Sequence, residues 1–404
     1  MFENKKILIL GMARSGYEAA KVLIKRGNTV ILNDGKEEEK LNKEQVEELR
    51  ELGVTVILGT HPDDLLDDSF DYLIKNPGVP IRHKYVVKAR DLNIEVINEV
   101  ELAYRLLPKT VKLVGITGTN GKTTTTTLIY EILKNAGYNC YVGGNIGTPL
   151  FTKLHEIKPD DKVVLELSSF QLMGMEVSPS ISVITNITPN HLNVHKDYEE
   201  YIEAKKNIFK YQDRDGILIL NYDNEITKNC SAETKGKVIF FSGKEKLDNG
   251  YIVDGDVIKE CDDKLRKHIV SVKELTIRGK HNYENICCAL AATKTLVDVS
   301  KALEVIKSFP GVEHRIEFVK EINGVKWYND SASSTPSRTI SGLNAFDEEI
   351  VLIAGGADKN LDYTPVAKPI LDKVKTLILM GQTAGKIFDS VKEEQEKEGK
   401  DIDI

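Results

Sequence analysis

Short apolar runs recur along the chain, each closed by a polar or glycine-rich turn and followed by a stretch whose apolar positions repeat at helical spacing. The first run, 6–10, leads into Gly11-Met-Ala-Arg-Ser-Gly16 and an amphipathic segment to about residue 26. Further runs lie at 29–32, 54–58, 72–74 and 95–97. Unbroken apolar runs suit strands buried on both faces, and their alternation with helices predicts a doubly wound parallel sheet. Pro108 interrupts this pattern, and the same grammar restarts at 112–116 with a glycine–threonine turn and a helix over about 123–135. Later runs at 162–167, 182–186, 216–220 and 238–241 extend this second sheet, with an alanine-rich helix over 282–296. After Phe309-Pro310-Gly311 come runs at 316–322, 326–328, 350–354 and 375–380, again expected to alternate with helices.

These blocks predict an α/β protein of three domains, a Rossmann-like 1–108, a central P-loop ATPase-type parallel-sheet domain 109–310 and a Rossmann-like 311–404. The charged stretch 391–400, poor in apolar anchors, is expected to be a solvated helix or a frayed end.

Hydrophobic residues make up 41% of the 404, enough to fill several buried sheets. The net charge of −7 argues against a nucleic-acid footprint, which calls for a basic face. Five cysteines without CxxC spacing read as buried thiols in a reducing compartment. The first residues run from a strand into a glycine turn without the organisation of a signal peptide, and no apolar run is long enough for a bilayer. The expectation is a cytoplasmic monomer without a membrane partner.

Candidate chemistry starts at Gly118-Thr119-Asn120-Gly121-Lys122-Thr123-Thr124, between an apolar run and a helix. There, backbone N–H groups and a helix N-terminus surround a polyphosphate, Lys122 reaches the terminal phosphates and the Thr123 hydroxyl meets Mg²⁺. A strict GxxxxGK[ST] would put glycine at Ile116, so this is a shortened variant. Parallel strands share one carboxyl edge, so Glu166 and His191 should converge on the same loop. A carboxylate and an imidazole beside a triphosphate suit a hard divalent cation, with Mn²⁺ open beside Mg²⁺. On residues alone, Glu166 also suits a strand-end surface charge and His191 a turn.

Four ordered motifs, Gly118-Thr-Asn-Gly-Lys-Thr, Glu166-Leu-Ser-Ser-Phe-Gln171, Asn186-Ile-Thr-Pro-Asn-His191 and Gly279-Lys-His-Asn-Tyr-Glu-Asn285, resemble successive signatures of the Mur ligases. Gly311-Val-Glu-His-Arg315, Trp327-Tyr-Asn-Asp330-Ser and Gly355-Gly-Ala-Asp-Lys359 carry the resemblance toward the C-terminus. With Gly11–Gly16 and Asn76-Pro-Gly78, it points to the member that adds D-glutamate to UDP-N-acetylmuramoyl-L-alanine. The L-alanine-adding relative, which usually carries histidine in place of Asn120, is the nearest alternative.

The resemblance implies that ATP phosphorylates the alanyl carboxylate and that D-glutamate attacks the acyl phosphate. It assigns Lys122 and Arg315 as cationic stabilisers, and Thr123, Glu166, His191 and Lys205 to two Mg²⁺, Lys205 as a CO₂-derived carbamate. Without modification, Lys205 would be a plain lysine beside Lys206. Asn282, Asn285, Arg315 and Asp330 match nucleotide contacts; helix capping and a turn are the alternative roles for the asparagines and the aspartate. Ser15, Asp34 and Asn76 match the uridine diphosphate end of the substrate, Asn145 and Ser168 its muramoyl-peptide end, and Lys359 a D-glutamate contact. Arg315 and Asp330 must approach a loop built on another domain, so the third domain is expected to close over ATP.

The sequence departs from the resemblance in two places. Ala332 stands where many members carry lysine, and the chain ends at Ile404 before a further strand and loop, so the third domain is expected to be incomplete. The rival classes are a noncatalytic nucleotide-binding relative and a Rossmann oxidoreductase.

Overall fold

The computed structural model describes residues 2–192, 194–263 and 265–404. The first sheet takes β1 (Lys6–Leu10), β2 (Thr29–Asp34), β3 (Thr55–Leu58), β4 (Tyr72–Lys75) and β5 (Glu95–Asn98) in the order β3-β2-β1-β4-β5, all parallel. Strand order reverses at β1, so a crevice opens beyond the ends of β1 and β4, where ligands of such sheets bind. Gly11–Gly16 follows β1 and Asn76 follows β4 at that crevice.

The second sheet contains β6 (Lys112–Thr117), β7 (Cys140–Gly144), β8 (Lys162–Glu166), β9 (Ile181–Ile184), β10 (Ile217–Asn221) and β11 (Lys237–Ser242). Three more strands, β12 (Asn249–Asp254), β13 (Val257–Asp262) and β14 (Leu265–Ser271), complete the order β14-β13-β12-β11-β10-β9-β6-β8-β7. The expected wholly parallel sheet is thus extended by antiparallel pairs β12–β13 and β13–β14. Gly255-Asp256 turns the first pair, with Gly255 at φ 58°, which glycine adopts without strain at the first position of a two-residue hairpin loop. At the centre, β6 lies between β8 and β9, which brings three strand ends side by side.

A continuous core joins these sheets: Val100 and Leu102 from the helix Glu99–Leu106 pack in one cluster with Leu165, Leu167 and Leu172. Cys230, Cys261, Cys287 and Cys288 are buried thiols, and Cys140 is half-buried.

Beyond residue 311, β15 (Glu317–Ile322) and β16 (Val325–Asn329) form an antiparallel hairpin instead of the expected strand–helix alternation. Asn323 and Gly324, at φ 51° and 79°, supply the two left-handed residues of a tight hairpin turn. β17 (Ile350–Gly356) and β18 (Val374–Gly381) are parallel, and Ile370, Leu371, Ile387 and Val391 pack in the core beside them. The charged stretch is therefore anchored: it belongs to the helix Ala384–Glu398, whose Val391 is fully buried. Among the described residues no helix is long and apolar enough to cross a membrane.

Candidate active site

β6 delivers the chain into Gly118 at φ 147°. A Cβ there would lie 1.9 Å from Thr185 Oγ1, so both backbone and space demand glycine. Gly121, at φ 84°, then turns the chain into the helix Lys122–Asn135. The loop is tied to the segment after β9: Thr119 N–H donates to the Asn186 carbonyl at 2.8 Å, and Asn120 N–H to Asn186 Oδ1 at 3.0 Å.

A cavity of about 260 Å³ opens over this loop. Residues 118–124, Glu166 and His191 line it, as expected from the shared strand edge, and so does Lys205 from the helix Tyr198–Lys210. Glu166 is 2% exposed; its Oε1 accepts from Asn145 Nδ2 at 2.8 Å, while its buried Oε2 has no partner. Lys122 folds back over its own loop and donates to the Gly118 and Thr119 carbonyls at 2.8 and 3.0 Å. Burial pulls its pKa down to about 8, with Arg338 and Arg315 adding to that fall and Glu166 opposing it.

Lys205 is 1% exposed and donates to the Gly118 carbonyl at 2.9 Å and Thr117 Oγ1 at 3.2 Å. Burial and then the Lys122 charge hold its pKa well below the ordinary lysine value, so its neutral amine is more accessible than that of a solvated lysine. Desolvation, followed by Lys122 and Lys205, likewise depresses His191. The His191 ring meets Phe170 edge-on at 5.3 Å, and Phe170 stacks on His195 at 5.1 Å. His195 Nε2 is 2.9 Å from Ser169 Oγ, and its Nδ1 is 3.5 Å from Glu200 Oε2. Arg82, from beyond β4, pairs with the other Glu200 oxygen at 2.7 Å and so ties the two sheets together beside the site.

A larger cavity of about 910 Å³ runs from the crevice of the first sheet to the same place. Ser15, Asp34 and Asn76 line its far end. Asp34 Oδ2 accepts from Met12 N–H at 2.7 Å, and Ser15 Oγ lies 3.0 Å from Asn76 Oδ1, so these three shape the glycine turn as well as the cavity. Asn145, Ser168 and Phe170 line both cavities and form their common wall.

Other expected residues lie outside both linings. Asn285 supports the loop from behind, near Gly121 and 3.3 Å from Thr125 Oγ1, and Asn282 accepts from Asn285 at 3.1 Å. Asp330 Oδ1 takes the Ile316 N–H at 3.1 Å, next to Arg315. Lys359 is exposed on the loop after β17. Arg315, by contrast, lines the smaller cavity, with NH2 3.4 Å from Thr123 Oγ1, so the third block already meets the second here. Sequence reasoning missed Phe170 and Arg338. Phe170 lies inside the Glu166–Gln171 motif; Arg338 belongs to no motif, and its guanidinium donates to the carbonyl of Ala332, where the resemblance expects a cation.

Family models match in two places: "Mur ligase MurD-like, N-terminal domain" over residues 5–98 and "Mur ligase middle domain" over 116–293. A UDP-N-acetylmuramoylalanine–D-glutamate ligase of Acetivibrio thermocellus is 44% identical over 402 residues, 100% of this chain and 85% of that protein. The chain belongs to the Mur ligase family. A ligase of the same name from Clostridium kluyveri is 47% identical to this Mur ligase over 384 residues, covering 95% of the chain and 82% of that protein. Among solved structures, the UDP-N-acetylmuramate-alanine ligase MurC of Thermotoga maritima shares the fold at TM-score 0.58 and 22% identity, over 99% of this Mur ligase and 90% of that chain.

Proposed function

We propose that this Mur ligase joins D-glutamate to UDP-N-acetylmuramoyl-L-alanine at the expense of ATP, a step in building the peptidoglycan precursor. The observation that carries the reading is the common wall of Asn145, Ser168 and Phe170, across which a long cavity suited to a sugar nucleotide meets a cavity built on a phosphate loop. The relatives at 44% and 47% identity bear that activity in their names.

In this reading residues 1–108 hold the uridine diphosphate through Ser15, Asp34 and Asn76, residues 109–310 hold ATP, and residues 311–404 bring Arg315 to its phosphates. A carboxylate oxygen of the alanyl group attacks the γ-phosphorus, the bond to the β-phosphate oxygen breaks, and ADP is released from the new acyl phosphate. The amine of D-glutamate then adds to the carbonyl carbon, and collapse of the tetrahedral adduct expels phosphate. Two anions must be held in line, so positioning and charge neutralisation dominate the catalysis. Lys122 and Arg315 supply positive charge to the phosphates, and Asn145 and Ser168 hold the muramoyl-peptide end against them.

A buried carboxylate oxygen without a donor, beside the Thr123 hydroxyl and a depressed imidazole at His191, fits a hard divalent cation. Mg²⁺, when bound, neutralises phosphate oxygens as a Lewis acid. The neutral amine of Lys205 is the form that combines with CO₂, and the resulting carbamate would add an anionic ligand for a second Mg²⁺. Lys359 belongs to this reading as the D-glutamate contact.

The test is phosphate release from Mg-ATP with UDP-N-acetylmuramoyl-L-alanine, in bicarbonate buffer, with D-glutamate, L-glutamate or no amino acid. Release that depends on D-glutamate is expected. Release that depends on another amino acid, or none while ATP binds, overturns it.

A further inference from the structure

The cavity over the phosphate loop holds a second guanidinium that the motifs leave unassigned. Arg338 sits in the first turn of the helix Pro336–Leu343, and its side chain crosses from the third block to the tip of the phosphate loop. Nε donates to Asn120 Oδ1 at a long 3.4 Å, and NH1 donates to the Ala332 carbonyl at 3.1 Å. Among the described residues NH2 makes no hydrogen bond.

Its electrical setting is unusual for this molecule. Lys122, Lys205, Arg315 and Arg338 all line one cavity of about 260 Å³, and Glu166 is the sole carboxylate in that lining. Among the described residues none of Lys122, Lys205, Arg315 and Arg338 is in an ion pair, although lysines and arginines elsewhere pair freely, as Arg50 does with Glu38 and Arg105 with Glu95. Lys122, Arg315 and Arg338 outnumber the one carboxylate of the lining, and a multiply charged anion seated among them offsets their mutual repulsion. Burial and then the nearby Arg315 charge disfavour the charged guanidinium of Arg338, while Asp330 and Glu166 oppose them.

Lys122 approaches from the loop and Arg315 from beside Thr123, whereas Arg338 approaches from Asn120, at the opposite lip of the loop. We propose that Arg338 is a further catalytic residue of this ligase, whose guanidinium binds the phosphoryl group in transit between ATP and the acceptor carboxylate. The proposal rests on the phosphoryl-transfer reading above. A planar guanidinium offers two parallel N–H donors to phosphate oxygens, a geometry that a lysine ammonium does not reproduce. The long bond to Asn120 is given up when the anion arrives, and the bond to Ala332 keeps the fork aimed into the cavity. The charge forming on the equatorial oxygens during transfer is then met from both lips of the loop.

Two measurements on the full chain test this. The first is steady-state turnover of Arg338→Ala and Arg338→Lys: kcat is expected to fall roughly 100-fold or more in the alanine variant, less in the lysine variant, with the KM for ATP changed only a few-fold. The second is binding of Mg-ADP with and without aluminium fluoride, a mimic of the phosphoryl group in transit. Arg338→Ala should lose affinity for the fluoride complex while keeping that for Mg-ADP, and added guanidinium ion at millimolar concentration should restore part of the loss.

Equal affinity losses for both ligands, or kcat within about 3-fold of the parent protein, overturn the proposal. If Arg338→Ala does not fold, as its melting curve would show, the ratio of the two affinities in Arg338→Lys decides in the same way. Should the parent protein fail to turn over with D-glutamate, the substrate reading falls, while the fluoride comparison still reports on Arg338.

Discussion

Lys205 Nζ lies 2.9 Å from the carbonyl oxygen of Gly118, the residue that opens the phosphate loop. A helix otherwise distant in sequence is thereby fastened to the loop by an amine that burial keeps from charging readily. Lys205→Ala removes the donor from Gly118 and Thr117 and any carbamate together. Turnover should fall at least roughly 100-fold, as for groups that orient a metal site. With ¹³C-bicarbonate, the parent protein should show a carbamate resonance that the variant lacks; a parent spectrum without it would remove the carbamate from the mechanism.

Glu166→Gln keeps an oxygen for the Asn145 amide and removes the negative charge from the unpartnered side. Because that oxygen is buried without a donor, the native carboxylate is costly to the fold, and the variant should melt no lower than the parent. Activity should drop by roughly 100-fold or more, accompanied by weaker Mn²⁺ binding in the presence of ATP, measured by electron paramagnetic resonance. Unchanged Mn²⁺ affinity would place Glu166 outside the metal's ligands.

Gly118 and Gly137 separate backbone strain from steric collision. Both have positive φ, 147° and 91°, but a Cβ at Gly137 meets nothing within 4 Å, whereas one at Gly118 strikes Thr185. Gly137→Ala should therefore cost about 1 kcal/mol in chemical denaturation and leave activity intact. Gly118→Ala should cost more than about 3 kcal/mol, or shift the loop and abolish turnover.

These contrasts explain what the sequence disclosed. The phosphate loop, Glu166 and His191 were legible because each follows an apolar run, and parallel strands place all such turns on one edge. Lys205 came only through resemblance, since nothing in Ala204-Lys205-Lys206 distinguishes a buried lysine from a solvated one. Arg338 was hidden because its position depends on how the third block meets the second, a long-range contact that leaves no local periodicity. The meander of β12 to β14 has a different reason for being hidden: its strands hold only short buried stretches broken by charged or exposed residues, four of them opening β14, unlike the continuous runs that marked the parallel core.

Glu99 lines the larger cavity, is buried with Oε2 unpartnered, and has its pKa pushed by burial up to about 7. A carboxyl whose folded pKa exceeds its unfolded value binds more protons when folded, so stability falls as pH rises from about 4.5 to about 7 and stays lowered above that. Glu99→Gln retains an acceptor for Gln171 and abolishes this titration. Its melting temperature should exceed the parent's at pH 8 and converge with it near pH 4.5, the difference at high pH being on the order of 3 kcal/mol at most. Parallel pH profiles for the two proteins would rule out Glu99 as the source.

The wall formed by Asn145, Ser168 and Phe170 also has a meaning for inhibitor chemistry. Two ligands that approach the same three side chains from opposite sides end within reach of a short tether. Joining them turns the second encounter into an intramolecular one, at an effective concentration in the millimolar range for a short flexible link. Fragments too weak to be useful singly, one seated in the larger cavity against Ser168 and one over Lys122, would gain avidity together.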